Sequence, residues 1–423
     1  MSENKWKKPE LLMPAKGLEE LKVAVTFGAD AVYLGGEAFG LRAGAKNFTR
    51  EEMGEGIAFA HENGAKVYVT ANILAHNQDI RSAVQYFTEL KELAPDALII
   101  SDPGLFSIAR EVCPEIDIHI STQANNTNFM TCLFWGKLGA RRIVTARELS
   151  FEEIREIREN IPRELEIETF VHGAMCISYS GRCLLSNYFT GRDANHGECA
   201  HPCRWQYAVA EATRPGQYLP IEENERGTFI FNSKDLCMVE YIPELVEAGI
   251  DSFKVEGRMK NALYIASVTR AYRKAIDDYF ESPEKYEANK EWYRAEVAKC
   301  TARPFATGFF FGRPDEGAQI YDSNTYTNLY TLLGVVVGIT GDGEAVIHQK
   351  NKFSLHDEIE IVHPDFTSDF AEVERIIDDK GEEVESAPHP KQELRLKLNA
   401  RVGLYDVLRI QTNSGQGAGV PDC

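Results

Sequence analysis

Positive charge is scarce in this 423-residue chain. Lys and Arg number 46 against 65 Asp and Glu, a formal net charge of −19. Coating a duplex takes clustered cations facing phosphates, so the balance argues against a general nucleic-acid binder and against DNA as a partner. Long apolar runs are missing too: the longest are interrupted and of strand length, short of the ~20 residues a membrane-spanning helix needs. The opening MSENKWKKPE carries no apolar stretch, so no signal peptide is expected. These absences predict a cytoplasmic protein with no membrane partner.

Hydrolytic and nucleotide-binding signatures are also lacking. His61-Glu62 would open an HExxH zinc motif, but position 65 is Ala, which leaves the second ligand missing. No GxSxG elbow occurs. No glycine-rich phosphate loop follows the first strand, which weighs against a doubly wound open sheet.

What the chain does have is a steady alternation of short apolar runs with amphipathic stretches. Strands are predicted at Glu10–Pro14, Ala31–Gly35, Lys66–Ile73, Ala97–Ser101, Asp117–Ser121, Arg142–Ala146, Glu166–Val171 and Ser252–Glu256. Helices are predicted between them, among them Arg50–Asn63, Ile80–Leu93, Phe151–Asn160 and Met238–Gly249, with Asn261–Phe280 after the last strand. Strands separated by helices must pair in parallel, and eight such units fit a closed (β/α)8 TIM-like barrel.

The seventh unit breaks the rhythm. About 80 residues separate its strand from the eighth, against roughly 2–6 in an ordinary βα loop. Barrel enzymes work from the C-terminal strand ends, so an enlarged loop there is where chemistry is expected. The predicted organisation is a catalytic domain over 1–310 with an insertion at about 172–237, a linker at 311–328, a small all-β barrel domain at 329–412 and a flexible tail at 413–423. The β domain reads from the alternating runs after Leu329 and the Gly341-Asp342-Gly343 turn.

Five of the nine cysteines, Cys176, Cys183, Cys199, Cys203 and Cys237, fall in or beside that insertion. In a reducing compartment such a set favours metal or redox chemistry over disulfides. Four thiolates can surround a 4Fe–4S cluster, with Arg182, Arg192, Arg204 and Lys234 supporting the anionic sulfurs. Two other readings stand beside it. His196, Cys199, His201 and Cys203 offer zinc ligands, though not at finger or ribbon spacing, and each cysteine can also serve as a small buried hydrophobe. No CxxxCxxC run occurs.

The segment ETFVHGAMCISYSGRCLLS resembles the signature of the peptidase U32 family, the collagenase-like proteins. Glu168, Phe170, Gly173, Ala174, Met175, Cys176, Gly181, Cys183, Leu185 and Ser186 satisfy it. Family-like segments also occur at Leu41–Thr49, Cys203–Tyr207, Asn232–Met238 and Lys254–Lys260, so the resemblance runs through nearly the whole chain. It implies a 4Fe–4S cluster held by Cys176, Cys183, Cys199 and Cys237, with Cys203 as the substitute for Cys199. The chain looks most like the branch that hydroxylates the tRNA wobble uridine to 5-hydroxyuridine, without oxygen and with prephenate as co-substrate. It further implies tRNA as partner, and pairing with a paralogue or a second copy. A collagenase-like peptidase is the alternative.

For RNA chemistry, a cationic mouth must admit an unstacked base. Arg42, Lys46, Lys254 and Arg258 are the substrate-binding candidates, with Lys260 beside them; a solvated or salt-bridged role is the plainer reading of each. Glu168 and Glu256 are candidates for orienting substrate or moving protons, and each reads equally well as a buried carboxylate paired with Arg. His172 forms an imaginable thiol–imidazole pair with Cys176, or simply packs at a strand end. Tyr179, Tyr188 and Trp205 can stack on a base or pack over the cysteines. A single folded tRNA needs only a local basic mouth, so the net acidity does not exclude it.

Overall fold

The computed structural model describes residues 7–40, 47–176, 179, 183–194, 198–205, 223–224, 227–228, 234–300, 303–312, 329–390 and 392–412. Eight parallel strands close into a barrel: β1 (Glu10–Pro14), β2 (Ala31–Gly35), β3 (Lys66–Ala71), β4 (Ala97–Ile100), β5 (Asp117–Ile120), β6 (Arg142–Val144), β7 (Glu166–Gly173) and β8 (Ser252–Val255). Each pairs with its successor, and β8 closes the ring between β7 and β1. The period-two alternation of a strand decides which side chains go where. Leu11 and Met13 join the large core beneath the helices, whereas Leu12 clusters with Ala31, Tyr33, Tyr68, Ala97 and Ile99 inside the ring.

Helices α1 (Leu18–Thr26), α2 (Arg50–Glu62), α3 (Asn77–Leu93), α4 (Pro103–Val112), α5 (Phe129–Lys137) and α6 (Phe151–Asn160) follow the first six strands. Their starts are chemically marked. Thr49 and Glu52 form a reciprocal capping box at α2, as Ser150 and Glu153 do at α6. Helix α3 begins three residues before the predicted Ile80, because the Asp79 carboxylate accepts the His76 backbone N–H and fixes an earlier first turn. In the enlarged seventh loop lies a short helix, α7 (Leu185–Thr190), and α8 (Ile242–Glu247) precedes β8.

Helix α8 starts four residues later than predicted. The preceding Asp235–Cys237 is a strand, antiparallel to the end of β7, with Cys237 opposite His172. The Met238 N–H is engaged by the Val171 carbonyl at 3.0 Å and by the Tyr272 hydroxyl at 3.0 Å, and Pro243 sits in the first turn of α8. Two long helices, α9 (Ala262–Glu281) and α10 (Pro283–Ala298), complete the first body.

The C-terminal part is a second closed barrel of six strands: β9 (Tyr330–Ile339), β10 (Ala345–Gln349), β11 (Glu358–Val362), β12 (Ser368–Ile377), β13 (Glu393–Leu398) and β14 (Val407–Gln411). Their order around it is β9-β10-β13-β12-β11-β14. Leu332, Val335, Val362 and Val407 merge into the core of the large barrel, so the two bodies share an apolar seam. Beside it, Arg409 bonds Glu296 of α10 at 3.0 Å and Glu360 at 2.6 Å. The predicted flexible tail and residues 313–328 of the predicted linker lie outside the described residues.

Candidate functional site in the barrel mouth

The floor of the mouth is ionic. Arg142, at the start of β6, reaches Glu10 at 2.6 Å and Glu168 at 2.9 Å, and Lys254 of β8 donates to Glu168 at 2.6 Å. The Tyr68 hydroxyl donates to Glu10 at 2.7 Å. Glu168 is fully buried, and its two cationic partners keep that burial tolerable. Burial drives the Lys254 pKa below the ordinary lysine value, with Glu168 opposing the shift. His119 packs edge-on against Tyr68 and is held neutral, chiefly by burial and further by Arg142 and Lys254.

Above this floor, at the C-terminal strand ends, lies a small cleft of about 50 Å³. Its cations are Arg147, Lys254 and Arg258, its carboxylate is Glu256, and its walls include Phe170 and Ile99. The Arg147 guanidinium carbon sits 4.1 Å from the Phe170 ring centroid, and the Lys254 ammonium 4.4 Å from that of Tyr33. Arg258 donates to Thr70 Oγ1 at 2.9 Å. It passes over Gly35, where a Cβ would stand 2.5 Å from its Nη1, so the absent side chain makes room for the guanidinium.

The candidates from sequence therefore divide. Lys254, Arg258 and Glu256 meet in the cleft. Glu168 lies beneath it and does not line it. His172 is buried outside the cleft among Tyr264, Tyr272 and Phe305, and burial lowers its pKa to about 3. Glu256 falls one residue past the end of β8, where its N–H bonds the His172 carbonyl at 2.8 Å. Lys260 rests over Tyr264 at 5.1 Å. Arg42, Lys46, Arg182 and His196 lie outside the described residues. Sequence reasoning missed Arg147, Asn72, Ser121 and Gln123, which line the same cleft. A signal was available: each sits within a few residues of a strand's C-terminal end.

Two of the five cysteines are tied to the same end of the barrel: Cys176 follows the end of β7, and Cys237 pairs opposite His172. Cys176 is exposed, Cys183, Cys199 and Cys203 are half-buried, and Cys237 is buried, its thiol pushed up to about 12 chiefly by desolvation. By donor chemistry, soft sulfurs from one loop and an adjoining strand fit an iron–sulfur cluster. Among the described residues, however, no three His, Cys, Asp or Glu side chains are gathered as a metal site. The aromatic candidates stay at the surface: Tyr188 is 82% exposed, while Phe189 meets it edge-on at 5.0 Å and lies 6.1 Å from Trp205. Tyr179 is exposed as well.

A (β/α)8 barrel with a charged cleft at its strand ends, a cysteine-bearing seventh loop and an appended β-barrel is thus defined. The chain belongs to peptidase family U32: residues 16–320 match that family and residues 328–409 match the peptidase family U32 C-terminal domain. Among its relatives is the tRNA hydroxylation protein P1 of Bacillus subtilis, 42% identical, with 95% of each chain covered. The tRNA hydroxylation protein P of Escherichia coli is 36% identical, with 97% of this chain and 98% of that one covered. A more partial relative is the 23S rRNA 5-hydroxycytidine synthase of Escherichia coli, 36% identical over 64% of this chain and 40% of that one.

Proposed function

We propose that the chain is an RNA hydroxylase that converts the tRNA wobble uridine to 5-hydroxyuridine. The observation that carries the reading is near-full-length similarity to proteins named for tRNA hydroxylation. The cleft supports it, since Arg147, Lys254 and Arg258 concentrate positive charge at the barrel mouth of an acidic chain. A base flipped from a tRNA loop would enter from the strand ends, where Arg and Lys can meet flanking phosphates.

The reading includes a 4Fe–4S cluster on Cys176, Cys183, Cys237 and either Cys199 or Cys203. It also includes prephenate as co-substrate in an oxygen-independent, cytoplasmic reaction. The cluster would supply electron transfer or Lewis-acid chemistry. Of this chain's own residues, Arg147 and Arg258 bind anionic groups, Glu256 is the carboxylate that faces the cleft, and the Glu168–Arg142–Lys254 floor holds Lys254 in place.

The decisive experiment is nucleoside mass spectrometry of tRNA from a strain lacking this chain and any paralogue. Loss of 5-hydroxyuridine derivatives, restored by the wild-type chain and not by Cys176→Ser, is the expected result. Unchanged levels would sink the reading. In parallel, anaerobically purified protein should hold about four iron and four acid-labile sulfide per chain, as a 4Fe–4S cluster requires, and a colourless, iron-free protein would remove the cluster from the proposal. Gelatin digestion abolished by Cys176→Ser would instead favour the peptidase alternative.

A further inference from the structure

We propose that Tyr272 of α9 is a positioning residue for Cys237: its hydroxyl donates to that sulfur when it is a thiolate, and thereby helps to set the reduction potential of the cluster. The inference rests on the reading above for the cluster itself and adds a residue to which that reading gives no part. Cys237 stands opposite His172, four residues before Cys176, so two of the candidate ligands issue from one pair of strands. Of the two, only Cys237 is buried. The desolvation that keeps its free thiol protonated also penalises a bound thiolate, which needs hydrogen-bond donors to offset it.

The surroundings supply two. The Val239 N–H and the Tyr272 hydroxyl both bond the Cys237 sulfur and oppose the upward shift that burial imposes. Tyr272 is fully buried, with its ring edge-on to His172 at 5.6 Å. Its hydroxyl has one proton and three acceptors in reach: the Val171 carbonyl at 2.8 Å, His172 Nδ1 at 3.4 Å and the Cys237 sulfur. With the thiol neutral, the carbonyl takes that proton. Hydrogen bonds to an ionised partner are roughly twice as strong as neutral ones, so an anionic sulfur draws the proton to itself.

The backbone does not require this hydroxyl. It accepts the Met238 N–H at 3.0 Å, but that N–H also bonds the Val171 carbonyl at 3.0 Å. Without the phenol oxygen, backbone donor and acceptor remain paired with each other. Tyr286 gives the contrast: its hydroxyl accepts the Ile242 N–H at 3.2 Å and donates to the Val239 carbonyl at 3.1 Å, with no sulfur among its partners in the described residues. Hydrogen bonds to the sulfurs are one of the levers on a cluster's potential, because reduction adds negative charge that a donor stabilises.

The test is anaerobic redox titration of the full-length protein, read by visible absorbance and by EPR of the reduced form, for wild type, Tyr272→Phe and Tyr286→Phe. Tyr272→Phe is expected to keep the wild-type iron and sulfide content and an unfolding midpoint within a few degrees, with its potential shifted negative. The shift should match a change of about threefold to tenfold in the reduction equilibrium, tenfold being about 59 mV for one electron. Tyr286→Phe should hold the wild-type potential. Loss of iron from Tyr272→Phe alone, with its unfolding midpoint preserved, also supports the assignment, since only the bond to sulfur has gone. An unchanged potential in Tyr272→Phe, an equal shift in Tyr286→Phe, or a Tyr272→Phe protein that does not fold would overturn it. The two proposals fail separately. Iron-free wild type refutes the cluster and this assignment with it, whereas a loaded wild type whose potential ignores Tyr272 refutes the assignment alone.

Discussion

Lys254 and Glu168 show how much of a site's character is decided by a single partner. Side by side in β7 and β8, they form an ion pair at 2.6 Å in a region from which water is excluded. The attraction offsets two desolvation penalties only while both partners are present. Glu168→Gln would leave Lys254 buried against a neutral amide and remove one of Arg142's carboxylates. We expect destabilisation of about 3–5 kcal/mol, the usual cost of stranding a buried charge, measured by urea denaturation. Activity is expected to fall as the Lys254 head group leaves its position, since the cleft is built directly on it. A variant as stable as wild type would mean that the floor is not the support described here.

At the scale of elements, the barrel strands were legible because their alternation reports burial directly. Glu10–Pro14 and Ala31–Gly35 are strands over the predicted residues, and the remaining six differ only at their ends. The Asp235–Cys237 strand escaped because three residues are too few to show a period, and because its partner is the tip of β7, some sixty residues earlier. The cleft was half legible for a related reason. Lys254 and Arg258 sit in a conspicuous basic run, whereas Arg147, Asn72 and Gln123 are isolated polar residues that only ring closure brings together. Where β7 ends, Gly173 has φ +113°, and a Cβ would lie 2.6 Å from the Glu256 carbonyl oxygen. That close approach sets the crossing of β7 and β8 and the exit of the chain toward Cys176. Gly173→Ala should therefore destabilise by at least the ~1–3 kcal/mol of left-handed strain. Thermal unfolding would read it, and an unchanged midpoint would show that the crossing has slack.

For the whole molecule, the question is what fixes the C-terminal barrel to the catalytic one. The apolar seam supplies attraction without direction; polar contacts across it supply the direction, Arg270 reaching the His363 carbonyl, Lys350 reaching Glu19 and Arg409 at the centre. Arg409 is fully buried between Glu296 of the first body and Glu360 of the second, with Ser267 of α9 at 3.1 Å. Burial alone would raise the Glu296 pKa, but Arg270 and Arg409 overcome it and hold the value at about 2, against an ordinary 4.5. A carboxylate with a depressed folded-state pKa stabilises the native state above its unfolded value, and that contribution is lost as pH falls through the folded one. The contribution of Glu296 should therefore be complete above pH ~5 and fade between about pH 4.5 and 2. Its size is on the order of 3 kcal/mol. Denaturation of wild type and Glu296→Gln across this range gives the check. The variant should be less stable at neutral pH, and the gap should close on acidification as wild type loses the charge that the variant never had. A gap that stays constant down to pH 2 would mean that Glu296 acts through packing and not through its charge.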